Sequence, residues 1–186
     1  MKTKFYSVCV ALIAMSCILF TACSDDDDNS TVTPEKGTFK NATLTLSYEV
    51  TQDLLDIANI EITYMDETGK IATEPMSSTK WSKAITSTIL PFSAGYKVNI
   101  TRNSAELSKE TYTIGFGNTS TASYLLSNST DQVDLMKSGI STLSTLSAER
   151  IEQYIEAVSE HNNKYAYRIF DDNGTVSCES DTTLSF

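Results

Sequence analysis

The chain has few of the residues on which most catalytic and metal sites depend. Its 186 residues include one histidine, four cysteines and one tryptophan. A single histidine cannot supply the repeated nitrogen ligands of common zinc sites. The lone Gly-x-Gly, Gly115-Phe116-Gly117, stands at the end of a predicted strand, where we expect a turn rather than a phosphate-binding loop. We therefore expect no metal and no cofactor, and no carboxylate pair stands out as the site of a hydrolase.

Basic residues are also scarce. The chain has 14 lysines and arginines against 24 aspartates and glutamates, which gives a formal net charge of −10. Nucleic-acid binding depends on neutralising phosphates with Lys and Arg, so this balance argues against a nucleic-acid partner. It argues equally against docking of the protein surface on anionic lipid.

No apolar run is long enough to cross a membrane. The run from Val8 to Phe20 follows Lys2 and Lys4 and precedes two small residues. A membrane-spanning helix needs about 20 apolar residues, whereas a basic start, a short apolar run and a small-residue cleavage site are typical of a secretory signal peptide. The sequence therefore predicts a signal peptide over residues 1–22.

The residues around Cys23 carry a family resemblance. Phe20-Thr21-Ala22-Cys23 resembles the lipobox of bacterial lipoproteins, whose cysteine is lipidated and becomes the mature N-terminus. The following residues resemble the surface-export signal of Bacteroidetes lipoproteins: Ser24, Asp25, Asp26, Asp27 and Asp28. The resemblance implies a lipid on Cys23 and exposure on the outer surface of the outer membrane. An acidic spacer and a calcium site are the alternatives for the aspartate run.

The predicted mature chain is acidic and suits one domain. Removing 22 of the 186 residues leaves 164, and only two lysines are lost, so the net charge becomes −12. Residues 23–38 are polar and predict a lipidated, acidic, disordered tether, and residues 39–186 predict a single β-rich domain. Cys9 and Cys17 leave with the signal peptide and Cys23 carries lipid, so Cys178 has no disulfide partner.

Alternating apolar and polar residues predict a series of strands. The clearest runs from Ala42 to Val50, and shorter ones follow around residues 60–64, 81–88, 96–100, 112–116, 122–126 and 165–169. Apolar residues spaced as on one helix face predict an amphipathic helix over 148–161. Asn173-Gly174 predicts a terminal hairpin. Periodicity does not distinguish a strand from a helix over residues 131–138.

These elements predict a mostly β fold, an antiparallel β-sandwich, with a barrel as the alternative. Strand count and spacing loosely resemble the immunoglobulin-like sandwiches common in Bacteroidetes lipoproteins. The Cys…Trp…Cys pattern of immunoglobulin domains is absent.

Three candidate sites each have a structural role as the alternative. His161 and Cys178 have the residue types of a nucleophilic pair, but a helix-end histidine and a buried thiol are the more ordinary interpretation. Trp81 is a candidate ligand contact through stacking on a sugar, with a core position as the alternative. Thr182 lies in Asp181-Thr182-Thr183, which resembles the O-glycosylation acceptor of Bacteroidetes secreted proteins.

The leading hypothesis for function is a non-catalytic binding or structural module at the cell surface, held to the membrane through its lipid. Its expected ligand is a glycan or another envelope protein. A fimbrial or assembly subunit that adds strands at a sheet edge is the first alternative, and a small hydrolase is the last.

Overall fold

The structure, a computed structural model, describes residues 37–66, 68–160 and 164–186. The predicted signal peptide, the lipidation site Cys23, the export signal from Ser24 to Asp28 and His161 lie outside the described residues. Residues Lys36–Phe186 form one compact unit. Among the described residues, no helix combines the length and apolar character that crossing a membrane requires.

Nine strands and two helices make up the described part of the chain. The strands are β1 (Phe39–Val50), β2 (Ala58–Met65), β3 (Ile71–Pro75), β4 (Lys80–Ser87), β5 (Phe92–Arg102), β6 (Thr111–Leu126), β7 (Val133–Ser147), β8 (Lys164–Asp172) and β9 (Thr175–Ser180). The helices are α1 (Gln52–Ile57) and α2 (Ala148–Glu160).

The strands form two antiparallel sheets. The first has the order β4-β1-β6-β7 and the second the order β3-β2-β5-β8-β9. The predicted mostly β, antiparallel sandwich is confirmed, and the barrel alternative is not what forms.

Alternation along β1 explains why this strand lies at the centre of the first sheet. From Ala42 to Val50 its even-numbered residues, such as Leu44 and Tyr48, are buried, and its odd-numbered residues, such as Thr43, face outward. Because successive side chains point to opposite faces of a strand, one face of β1 packs on the second sheet while the other meets solvent. β1 pairs with β4 on one side and with β6 on the other.

Aromatic side chains link the two sheets inside the sandwich. The rings of Tyr48 and Tyr96 lie 6.2 Å apart, edge to face, and Trp81 lies 5.2 Å from Tyr96. Such pairs contribute about 0.5–1.5 kcal/mol each beyond the burial of their area. The Tyr96 hydroxyl donates to the backbone carbonyl of Ser47 at 3.0 Å, so a polar group in the core is also satisfied.

The later elements match most of the sequence predictions. Helix α2 covers Ala148–Glu160 and buries Ile151 and Ile155, which confirms the helix predicted over 148–161. Asn173 and Gly174 have φ angles of 53° and 81°, so the predicted hairpin turn is confirmed. Residues 133–138 belong to strand β7. Helix α1 was not predicted, because six residues are too few to show a helical period.

Candidate functional site

Strand β7 is an edge of the first sheet. It pairs with β6 from Val133 to Ser147, and no strand among the described residues pairs with its other side. An edge strand presents unpaired backbone N–H and C=O groups to its surroundings. At 15 residues, β7 is the longest of the four sheet edges in the described part of the chain, because β4, β3 and β9 have eight, five and six residues.

Large apolar side chains are exposed on both faces of β7. Ile140 is 66% exposed and Leu143 is 70% exposed. Ile140 pairs with the buried Asn118 and therefore faces the inside of the sandwich. Leu143 pairs with Gly115 and, being an odd number of residues away from Ile140, faces outward. An inward-facing isoleucine that stays exposed indicates that the sandwich is open along this edge.

A cleft of about 360 Å³ occupies this open side, and we call it the edge cleft. It lies between β7 with the neighbouring β6 on one side and β8 with the end of β9 on the other. Its lining residues are Asn118, Ser138, Ile140, Lys164, Tyr165, Ala166, Tyr167, Ser180, Asp181 and Thr182.

Two buried polar residues lie on the inward face of β6, and one of them, Asn118, lines the edge cleft. Among the described residues, Asn118 and Ser120 are the buried polar side chains that carry no aromatic ring. The Asn118 Oδ1 accepts a hydrogen bond from the backbone N–H of Ile140 at 2.9 Å. Ser120 is 0% exposed, its Oγ has no hydrogen-bond partner, and it pairs across the ladder with Ser138 of the cleft. A buried hydroxyl without a partner costs about 1–3 kcal/mol.

The charged groups at the rim of the cleft already have partners. The Lys164 Nζ donates to the backbone carbonyl of Thr182 at 3.2 Å. The Asp181 carboxylate accepts from the Ser93 hydroxyl at 2.6 Å and from the hydroxyl and backbone N–H of Thr183. These hydrogen bonds, that from Ser93 foremost, lower the pKa of Asp181 to about 2. These partners are neutral groups, so Lys164 and Asp181 both keep their charge at the rim.

Trp81 does not present its ring to a ligand. It is 8% exposed and packs between Tyr64 and Tyr96, with ring centroids 5.6 and 5.2 Å away. Its indole N–H donates to Glu74. The prediction that Trp81 contacts a ligand is therefore wrong. Its position on β4 turns the ring inward, where burial of its large apolar area stabilises the core.

Cys178 does not have the properties of an activated nucleophile. Its side chain is half-buried on β9, and burial raises the pKa of the thiol to about 11. The thiol is therefore neutral near pH 7, whereas nucleophilic attack needs the thiolate. His161 lies outside the described residues, so its distance from Cys178 is not defined. No group of three or more His, Cys, Asp or Glu side chains suited to a metal ion occurs within the described ranges.

Thr182 is exposed in the bend that follows β9, at the rim of the edge cleft. Its position leaves the side chain open to a modifying enzyme. O-glycosylation of Thr182 stays a prediction.

The sequence interpretation missed the polar residues of the edge cleft. The signal was present in β6, where Tyr112 and Ile114 begin an inward-facing row that continues through Asn118 and Ser120. A polar residue at a strand position that faces the core indicates either that the strand was assigned wrongly or that the position has a functional role.

Comparisons with known proteins do not assign this chain to a family. No protein-family model, no curated protein and no solved structure matches it. The function is therefore argued from the sequence features and from the geometry of the site.

Proposed function

We propose that this protein is a lipid-anchored binding module of the cell surface, which engages another envelope protein by accepting one of its strands at the free edge of β7. The observation that carries the proposal is the 15-residue edge strand with Ile140 and Leu143 exposed on opposite faces. Added strands bind through main-chain hydrogen bonds, and pockets for alternate side chains provide specificity.

The composition of β7 supports this assignment. Proteins commonly protect sheet edges with short strands, charged side chains or proline. Edge strand β4 carries Lys80 and Lys83, and the short β3 carries Glu74 and ends at Pro75. β7 has no charged residue in its last ten positions, 138–147. An edge left unprotected over this length is expected where a partner covers it.

The proposed location of the module at the cell surface rests on the sequence. The lipobox ending at Cys23 and the acidic run after it support an anchor in the outer membrane with the domain outside the cell. An exposed partner strand would then come from another protein of the envelope. A glycan is the less favoured ligand, because burial of Trp81 removes the expected stacking surface.

A second candidate, an assembly subunit, is favoured by the same open edge. In an assembly, each copy would accept a strand from a neighbouring subunit, so the partner would itself form part of a chain of subunits. The two candidates predict different products on cross-linking: one discrete adduct for the binding module and a ladder of adducts for the assembly subunit.

Cross-linking in the cells that make the protein tests the proposal. A photo-cross-linking amino acid is placed at Leu143 on β7 and, as the matched control, at Ile89, which is equally exposed but lies between β4 and β5. We expect a discrete adduct with an envelope protein from position 143 and none from position 89. A ladder of adducts would favour the assembly subunit. Absence of an adduct at 143, or equal adducts at both positions, would contradict the proposal.

A further inference from the structure

Lys164 brings an uncompensated positive charge to the rim of the edge cleft. Its Nζ donates to the backbone carbonyl of Thr182 and lies 5.7 Å from the centre of the Phe186 ring, and both of these partners are neutral. Lys164 also stands directly opposite Lys97 where β8 pairs with β5, and like charges in such a pair repel each other. Within the described ranges, neither lysine forms an ion pair with a carboxylate. A carboxylate brought to this place would therefore pair with Lys164 and reduce the repulsion.

Asn118 supplies a hydrogen-bond donor in the same cleft. The residue lines the cleft although it is only 4% exposed, and its Oδ1 accepts the backbone N–H of Ile140 at 2.9 Å. No described group accepts a hydrogen bond from its Nδ2, which carries two N–H donors. A buried donor without an acceptor costs free energy. The Nδ2 is therefore available to a ligand that carries acceptor oxygens.

Asp181 also keeps its charge at the rim, but its oxygens are already occupied. They accept the Ser93 hydroxyl, the hydroxyl and backbone N–H of Thr183 and the backbone N–H of Leu184. A carboxylate offers about four lone-pair sites, so these donors use its capacity to accept. The two facing lysines also outnumber this carboxylate in formal charge. The rim therefore offers donors and positive charge to a ligand rather than acceptors.

A strand paired with the free edge of β7 would reach the cleft with every second side chain. Side chains alternate between the two faces of a sheet, so the inward side chains of an added strand point the same way as Ser138 and Ile140. Both of these β7 residues line the edge cleft together with Asn118 and Lys164. A side chain at an inward position of the partner can therefore enter the cleft from its open side.

We propose that the edge cleft binds an acidic side chain, Asp or Glu, from an inward position of the partner strand, with Lys164 as its counter-charge and the Asn118 amide as a hydrogen-bond donor. This inference rests on the proposed function and specifies the chemistry of the partner. Charge-assisted hydrogen bonds to a carboxylate are stronger than neutral ones. The next inward position of the partner carries an apolar side chain, because Ile140 is 66% exposed and offers apolar area to cover.

The overall charge of the chain makes an acidic partner a demanding expectation. With a net charge of −10, the chain as a whole repels acidic segments and attracts basic ones. Non-specific attraction would therefore select basic partners. A preference for an acidic side chain has to come from local groups such as Lys164.

Cross-linking in the cells that make the protein tests the role of Lys164. The photo-cross-linking amino acid stays at Leu143, and Lys164→Glu reverses the counter-charge. The matched control, Lys70→Glu, makes the same change in net charge at an exposed residue just before β3, at the opposite edge of the second sheet. We expect Lys164→Glu to lower the yield of the discrete adduct at least about fivefold and Lys70→Glu less than about twofold, since only the first places like charges in the cleft. A thermal melt of each variant confirms that it is folded.

Selection from random 12-residue peptides displayed on phage tests the sign of the charge, with the mature chain in detergent micelles as the target. The peptides are fused to the coat protein through their C-termini, so any carboxylate comes from a side chain. On the parent chain we expect Asp or Glu to be enriched at one position, with an apolar residue two positions away. On Lys164→Glu we expect Lys or Arg at that position. A synthetic peptide selected on the parent should bind Lys164→Glu at least about tenfold more weakly, and exchanging its acidic residue for lysine should restore binding.

A third variant tests the contribution of the amide. Asn118→Asp keeps an acceptor for the backbone N–H of Ile140 but replaces the Nδ2 donor by an oxygen. We expect the parent-selected peptide to bind this variant at least about tenfold more weakly, because two carboxylates would then meet in the cleft. Unchanged binding would overturn the role given to Asn118.

The outcomes separate this inference from the proposed function. An adduct from position 143 that Lys164→Glu leaves unchanged would overturn the acidic side chain and leave strand pairing at β7 standing. So would a parent chain that enriches no peptide or no acidic residue, or a preference that keeps its sign on Lys164→Glu. Absence of the adduct in the parent would overturn the proposed function and this inference with it.

Discussion

Single residues decide how closely the strands of this sandwich approach one another. Gly95 on β5 pairs with Ala166 on β8, and an added Cβ there would lie 2.6 Å from the Cα of Ala166 and also overlap the carbonyl oxygen of Tyr165. Gly139 on β7 is different, because a Cβ there would first meet the carbonyl oxygen of Asn118, at an ordinary 3.4 Å. The two glycines therefore have different structural roles.

We predict that Gly95→Ala lowers the free energy of unfolding by about 1–3 kcal/mol, because overpacking against backbone atoms forces the strands apart. Gly139→Ala, the matched control, should change it by no more than about 0.5 kcal/mol. Equilibrium unfolding in urea measures both. Similar unfolding midpoints for the two variants would contradict the close approach at Gly95.

The Asp181 carboxylate contributes stability that depends on pH. Its hydrogen bonds, that from Ser93 first, lower its pKa from 3.8 to about 2 in the folded protein. A group whose folded pKa is depressed stabilises the fold above its unfolded pKa and loses that effect as pH falls through the folded value. We predict that Asp181→Asn is less stable than the parent at pH 7 and that the difference shrinks between about pH 4 and pH 2.

Urea unfolding of Asp181→Asn at a series of pH values checks this prediction. Asp134→Asn, at an exposed position of β7, serves as the control for the change in net charge. A difference from the parent that stays constant with pH would show that the carboxylate charge at 181 does not matter.

At the scale of elements, the hairpin of β8 and β9 depends on the residues of its turn. The turn between β8 and β9 has Asn173 and Gly174 in the left-handed region, which matches the two-residue hairpin turns that follow strand twist. The Asp171 carboxylate accepts the backbone N–H of Gly174 at 2.6 Å. The hairpin positions the end of β9, which forms one wall of the edge cleft.

We predict that Gly174→Ala destabilises the protein by about 1–2 kcal/mol, because a Cβ is unfavourable in the left-handed conformation. Asn173→Gly should stay within about 0.5 kcal/mol of the parent, since glycine adopts this conformation readily. Thermal unfolding followed by circular dichroism compares the two. Equal losses of stability in the two variants would show that the left-handed conformation of the turn does not cause the effect.

At the scale of the whole molecule, we propose that the mature chain is an acidic domain held by an N-terminal lipid. Two or more acyl chains anchor a protein stably because each buried methylene contributes about 0.8 kcal/mol. The net charge of −12 expected after processing opposes adhesion of the domain to anionic surfaces, so the anchor and the binding site would act separately.

We predict that the protein in its own cells takes up a palmitate analogue and that Cys23→Ala abolishes the label. Cys178→Ala, the control, should keep it, because that thiol lies on β9 within the folded domain. Added protease should degrade the labelled protein on intact cells if the domain is outside. If the parent protein takes up no label, the anchor is excluded. If the protein on intact cells is protected from protease, the domain lies on the inner side of the outer membrane.

Much of the fold was predictable because the patterns of apolar and polar residues that indicate strands and helices can be seen within short segments. The strand beginning near Ala42, the helix beginning at Ala148 and the Asn173-Gly174 turn all follow from residues within one element. The long strand β7 was harder to predict, because serine and threonine fill most of its second half on both faces. The edge cleft was not predicted, since its members come from β6, β7, β8 and the segment after β9.

The sequence by itself determined the class of fold and the place of helix α2, and it predicts the anchor at Cys23, since each depends on neighbouring residues or a fixed short spacing. Only the tertiary structure decided that Trp81 is buried, that β7 is an edge strand among the described residues and that Ile140 stands exposed opposite Asn118. Those facts depend on which strands pair and on where each sheet ends. Such pairings join residues far apart in the chain, and no local pattern specifies them.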